Sequence, residues 1–124
     1  MNILIRNKSN QPIYEQIYNQ IKAQILGNEI EEGSALPSMR QLALDLRISV
    51  ITTKRAYEDL ERDGFIVAIP GKGSFVAEKN LELLRETYLK EIEALMLAIL
   101  EKASLSDISQ EELSEMMNLL AKEN

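Results

Sequence analysis

No cysteine and no histidine occur in this chain of 124 residues. The missing cysteine excludes disulfides and is compatible with a reducing compartment. The two absences together exclude zinc centres built on Cys or His, and nucleophilic schemes that depend on either. Long apolar runs are missing too. The longest, Ala94–Leu100, has seven residues, whereas a membrane span needs about 20. The opening stretch Met1–Arg6 is too short and too polar on its far side for a signal peptide. A cytoplasmic protein with no membrane partner, no cofactor and no metal is expected.

A phosphate-cradling loop is also lacking. Gly71-Lys72-Gly73-Ser74 has the glycines, but not the four variable residues ahead of a Gly-Lys pair, and no helix follows it. Acidic residues crowd the stretch Glu58, Asp59, Glu61 and Asp63, and recur at Glu91, Glu93 and Glu101. At helical spacing these read as solvated faces, so no enzyme is expected. The tyrosines Tyr14, Tyr18, Tyr57 and Tyr88 read as core or interface residues.

What is present is a globular composition, 45% hydrophobic and 27% charged. A chain this short gains much from a partner subunit. The net charge of −6 argues against nucleic acid until its distribution is considered. Residues 1–79 hold ten basic and ten acidic side chains; residues 80–124 hold four and ten. The whole excess therefore lies in the last part. From Ser38 to Tyr57, Arg40, Arg47, Lys54 and Arg55 face a single acid, Asp45. Local positive charge, not a positive total, is what a DNA-binding face requires.

Ile13, Ile17, Ile21 and Ile25 predict a helix over about 12–26, with Pro12 in its first turn and Gly27 as its stop. After the Pro37 break, Ser38 and Gln41 form a capping-box signature for a short helix over 39–46. Ser49 caps a third helix running to about Asp63, and Gly64 ends it. Phe65–Ile69 and Ser74–Ala77 read as two strands joined by Pro70-Gly71-Lys72-Gly73. Asn80 opens a long helix, 81 to about 103, and Ser109 with Glu112 opens a last one to about Lys122. The fold class is mainly α with a small β-hairpin: a winged helix-turn-helix over 1–79, then a two-helix antiparallel hairpin over 80–124.

In such a fold the third helix enters the major groove. Its first turn, Ser49, Val50, Ile51 and Thr52, would meet bases and flanking phosphates, with Lys54 and Arg55 on its exposed side. A plain solvated basic surface fits the same residues. Arg40 is placed for a bidentate phosphate contact, or for an ion pair with Asp45 or Glu32. Lys72, between Gly71 and Gly73, suits a wing tip at the minor groove, or any hairpin turn. On the later helices, apolar rows at Leu81, Leu84, Tyr88, Ile92, Leu95 and Ile99, at Leu89, Met96, Leu100 and Ala103, and at Leu113, Met116, Met117 and Leu120 make broad surfaces.

Residues 12–17, 33–43, 49–61, 64–66 and 71–76 resemble the N-terminal domain of the GntR family of bacterial regulators. The short remainder resembles its YtrA subfamily. The resemblance implies a homodimer joined through the C-terminal helices, at Tyr88, Ile92, Leu95, Met96, Ile99, Leu113, Met116, Met117 and Leu120. It implies a repressor bound to a near-palindromic double-stranded DNA operator, often beside ABC-transporter genes, with room for an unidentified small-molecule effector. The family's phosphate-gripping arginine corresponds to Arg40, and its polar opening residue and threonine to Ser49 and Thr52. Its basic pair corresponds to Lys54 and Arg55, and its wing-tip glycine to Gly71. Three departures stand out: Val50 where many relatives carry a base-reading arginine, Arg47 where many have glycine, and Thr53 in place of valine. A protein-interaction module on a winged-helix scaffold is the alternative.

Overall fold

The computed structural model describes all residues, 1–124. Five helices and two strands follow one another as α1 (Ile13–Leu26), α2 (Met39–Leu46), α3 (Val50–Arg62), β1 (Ile66–Ile69), β2 (Gly73–Val76), α4 (Leu81–Leu105) and α5 (Gln110–Glu123). The chain divides into two units, Met1–Asn80 and Leu81–Asn124.

In the first unit α3 is the central element, packed on α1, α2 and β1. Ile17, Ile21 and Ile25 of α1 are buried, as are Thr53, Ala56, Tyr57 and Leu60 of α3. Leu36, Leu42, Ala43, Phe65, Ile66 and Val76 complete the core. The spacing of four on α1 is the reason. It keeps one isoleucine per turn on the side facing α3.

The serines at 38, 49 and 109 each cap a helix, accepting the N–H of Gln41 at 3.0 Å, Ile51 at 3.1 Å and Glu112 at 3.2 Å. Only half of the first capping box forms, because the Gln41 amide donates to Asp45 at 2.8 Å instead of reaching back to Ser38. Four helices end alike, in a left-handed residue followed by a six-residue N–H···O=C closure. The left-handed positions are Asn28, Arg47, Gly64 and Asp107. The closures are Glu29 to Gln24, Ile48 to Ala43, Phe65 to Leu60 and Ile108 to Ala103, at 2.9–3.0 Å. Of the two glycines expected as stops, Gly64 takes the left-handed place. Gly27 stays at φ −83° and leaves that conformation to Asn28.

Two pairings cross large sequence distances, and periodicity gave no sign of either. Residues 33–36 lie antiparallel to β2, with Gly33 N–H on Val76 O, Val76 N–H on Ser34 O and Leu36 N–H on Ser74 O, each 2.9 Å. The two-stranded hairpin is thus flanked by residues 33–36 through an isolated bridge, and that segment leads on towards α2.

The second pairing is a ladder of glutamines. Gln16, Gln20 and Gln24 lie one turn apart on α1, and each carboxamide grips the backbone of one residue of the extended N-terminal arm. Gln20 accepts the Leu4 N–H at 2.8 Å and donates to the Leu4 carbonyl at 2.7 Å. Gln16 does the same for Arg6, and Gln24 for Asn2. The match is geometric: four helical residues rise about 6 Å, and two extended residues span about 6.6 Å. The Gln20→Ala variant should raise hydrogen exchange at the Leu4 amide and lower stability by about 1 kcal/mol. Exchange in the α1 core should not change.

In the second unit α4 and α5 stand where the periodicity placed them, but they do not form the antiparallel packed hairpin expected from the short link. They do not pack along each other. Ala103 is the one buried residue of α4, and α5 has none. The cap at Asp107 fixes the direction in which the chain leaves α4, and the apolar rows of both helices remain open to solvent. No helix is long and apolar enough to cross a membrane.

Candidate nucleic-acid interface

α2 and α3 form a helix-turn-helix with Arg47, Ile48 and Ser49 as the turn. Arg47 is left-handed, at φ 57° and ψ 49°. This costs a residue with a Cβ about 1–2 kcal/mol relative to glycine. Two buried bonds hold the pair. The Thr53 hydroxyl lies 2.9 Å from Met39 O and 3.0 Å from Val50 O, and the Tyr57 hydroxyl donates to Pro37 O at 2.7 Å. Thr53 fastens α3 to the first turn of α2, where Arg40 stands, and Tyr57 fastens it to the segment just before that helix. Thr53 is therefore more than a packing variant of valine: its hydroxyl is a latch between the helices.

Burial pushes the Tyr57 phenol from its ordinary value up to about 12. Its unfolded value is near 10, so the neutral folded form stabilises fully below about pH 10, and that contribution is lost as pH rises towards 12. Stability should decline over that window. A Tyr57→Phe variant should lose about 1–3 kcal/mol at neutral pH, because Pro37 O is left without its donor. It should also show a shallower alkaline decline in denaturant titrations.

Arg40 and Arg47 are exposed, and neither guanidinium has a protein partner. The ion pair of Arg40 with Asp45 or Glu32 does not form. Both arginines line a cleft of about 440 Å³ together with Ala43, Leu44, Ile48 and Val50. Val50 is 41% exposed and Ile51 80%, so Val50 is not part of the inner face of α3. Ser49 is exposed and Thr52 half-buried. The other two basic residues have partners, a loose surface one for Lys54 and a stacked one for Arg55. Lys54 sits 3.9 Å from Glu58, and the Arg55 guanidinium stacks 3.7 Å from the ring centre of Tyr14 on α1. The sequence carried no signal for that stack, because Tyr14 lies on another helix.

The wing tip is a tight turn in which Lys72 N–H bonds Ile69 O at 2.9 Å. Gly71, at φ +76°, follows Pro70 as a type II turn requires. A Cβ at Gly71 or Gly73 would meet open space, so it is conformation, not crowding, that calls for glycine here. Lys72 is exposed and has no partner. Arg40, Arg47 and Lys72 thus offer three cations free to meet anions. They are carried on segments tied down by the Thr53 and Tyr57 bonds and by the backbone pairing of residues 33–36 with β2.

Of the residues expected to join subunits, Leu113 is half-buried within one chain and the other eight are exposed, Leu95 by 65%.

The model of bacterial regulatory proteins of the gntR family matches residues 13–76. The chain is 33% identical over 113 residues to the HTH-type transcriptional repressor YtrA of Bacillus subtilis (strain 168), covering 91% of this chain and 87% of that protein. The fold is similar to a solved transcriptional regulator from Oenococcus oeni, with a TM-score of 0.77 and 26% identity over 94% of this chain and 97% of that one. It is also similar to AraR(DBD) in complex with operator ORX1, with a TM-score of 0.55 and 25% identity over 62% of this chain and 96% of that one.

Proposed function

This chain belongs to the gntR family of bacterial regulatory proteins and is a helix-turn-helix DNA-binding transcription regulator, not an enzyme; on that premise we propose that it is a repressor of the YtrA-like subfamily, acting as a homodimer on a near-palindromic operator. The observation that carries this reading is the exposed leading turn of α3, whose Val50 shares a cleft with two partnerless arginines, Arg40 and Arg47. A turn with Val50 and Ile51 in water, beside uncompensated positive charge, suits a groove with a phosphate wall on each side. The N-terminus of α2 adds free N–H groups beside Arg40, and Lys72 reaches the backbone from the wing.

Similarity to YtrA over most of both chains supports the subfamily. The unpacked apolar rows of α4 and α5 support the dimer, because contiguous exposed apolar surface of this kind marks an interaction site. A dimer would set two recognition helices about 34–36 Å apart, one turn of DNA, and occupancy would obstruct RNA polymerase in the cytoplasm. A change in dimer geometry on binding an effector would change that spacing. Lys79 limits where the change can act, since its N–H and ammonium are held by Glu32 and Asn28 within the first unit.

Binding selection from random duplexes tests the proposal. The expected result is an inverted repeat with half-sites about 10 base pairs apart, bound with an affinity that falls steeply as salt rises. Failure to enrich any sequence, with salt-insensitive capture of proteins instead, would establish the interaction-module alternative.

A further inference from the structure

We propose that this regulator recognises its operator through the 5-methyl groups of thymines, received by Val50 and Ile51, in place of bidentate hydrogen bonds to guanine or adenine. The inference rests on the operator-binding reading above and names the bases it reads. Guanine is read in the major groove by Arg or Lys, and adenine by Asn or Gln, while thymine also offers an apolar methyl. The leading turn of α3 and its approach, Ile48-Ser49-Val50-Ile51-Thr52-Thr53, contain none of those four polar readers. Thr53 is buried with its hydroxyl on the protein's own carbonyls, and Ser49 Oγ is occupied as the helix cap. Of the nearest cations on α3, Arg55 is stacked on Tyr14, and Lys54 lies one turn beyond Val50 in a loose, exposed pair with Glu58.

What reaches outward is hydrocarbon. Ile51 is 80% exposed, Val50 is 41%, and Leu44, 73% exposed, borders the cleft that Val50 shares with Arg40 and Arg47. The fold gives no reason for this. Four β-branched residues in succession, Val50 to Thr53, weaken a helix, and of these only Thr53 is buried. Arg40 and Arg47, which share the cleft with Val50, would bring phosphates close to this tip, so the occupant of the apolar turn is a base edge.

The experiment begins with the half-site enriched from random duplexes. Each thymine is replaced in turn by deoxyuridine, which removes only the methyl, and affinity is measured by fluorescence anisotropy at fixed salt. One or two positions should each weaken binding about fourfold per methyl. Replacing the same thymine·adenine pair by 5-methylcytosine·guanine should bind better than cytosine·guanine. Ile51→Ala and Val50→Ala are surface changes that should leave the melting temperature in place, and each should abolish the methyl effect at one position. If no thymine responds to methyl removal, or if both alanine variants keep the full response, the inference falls while the regulator stands. If no sequence is enriched at all, the regulator reading itself fails.

Discussion

Replacing Leu95 by aspartate is expected to convert the protein to monomers and to lower operator affinity by about 10²–10⁴-fold, the range that bivalent attachment contributes. Leu95 is 65% exposed in a single chain, so the substitution does not disturb the fold of that chain. In a dimer joined through α4 it would bury two unpaired carboxylates, one from each copy, at a cost of several kcal/mol each. Sedimentation would report the monomer, and anisotropy with whole and half operators would report the affinity. The variant should bind a half-site as the wild type does. A dimeric L95D with normal operator affinity would remove α4 from the interface.

The second large effect is a pair of opposite signs at one position. Arg47→Gly relieves a left-handed arginine, worth about 1–2 kcal/mol, against about 0.5–1 kcal/mol of added freedom in the unfolded chain. The variant should therefore melt slightly higher. It also deletes one of the two free guanidiniums in the cleft, so affinity for any duplex should fall by about tenfold, and the slope of log K against log salt should shrink by about one unit. Arg40→Ala should repeat the loss of affinity without the gain in stability, because Arg40 is helical and unstrained. A destabilised Arg47→Gly protein with unaltered salt dependence would show that this arginine serves the turn and not the DNA.

The elements were legible because they are local. Ile13 to Ile25 at spacing four, the serines at 38, 49 and 109, and Gly64 after α3 each report the chain's own next turn, and each acts as its chemistry predicts. The breaks in expectation come either from two equally local choices that compete or from a partner elsewhere in the chain. Gln41 prefers Asp45 to Ser38, Asn28 displaces Gly27 as the left-handed residue, and Arg55 lies on Tyr14. A period-four row of glutamines on α1 was visible in principle, but it looks like a solvated face until an extended strand is laid along it.

By itself, then, the sequence determined the order of helices and strands, the basic stretch around α2 and α3, and the resemblance that places residues 13–76 in their family. Tertiary structure decided which cations stay free, that Val50 and Ile51 face outward, that residues 33–36 pair with β2, and that α4 and α5 leave their apolar rows uncovered. The division follows from the nature of the bonds. Helical periodicity and capping are written in side chains a few residues apart. Backbone-to-backbone pairing and the choice of a partner for a long polar side chain depend on which distant segments arrive side by side.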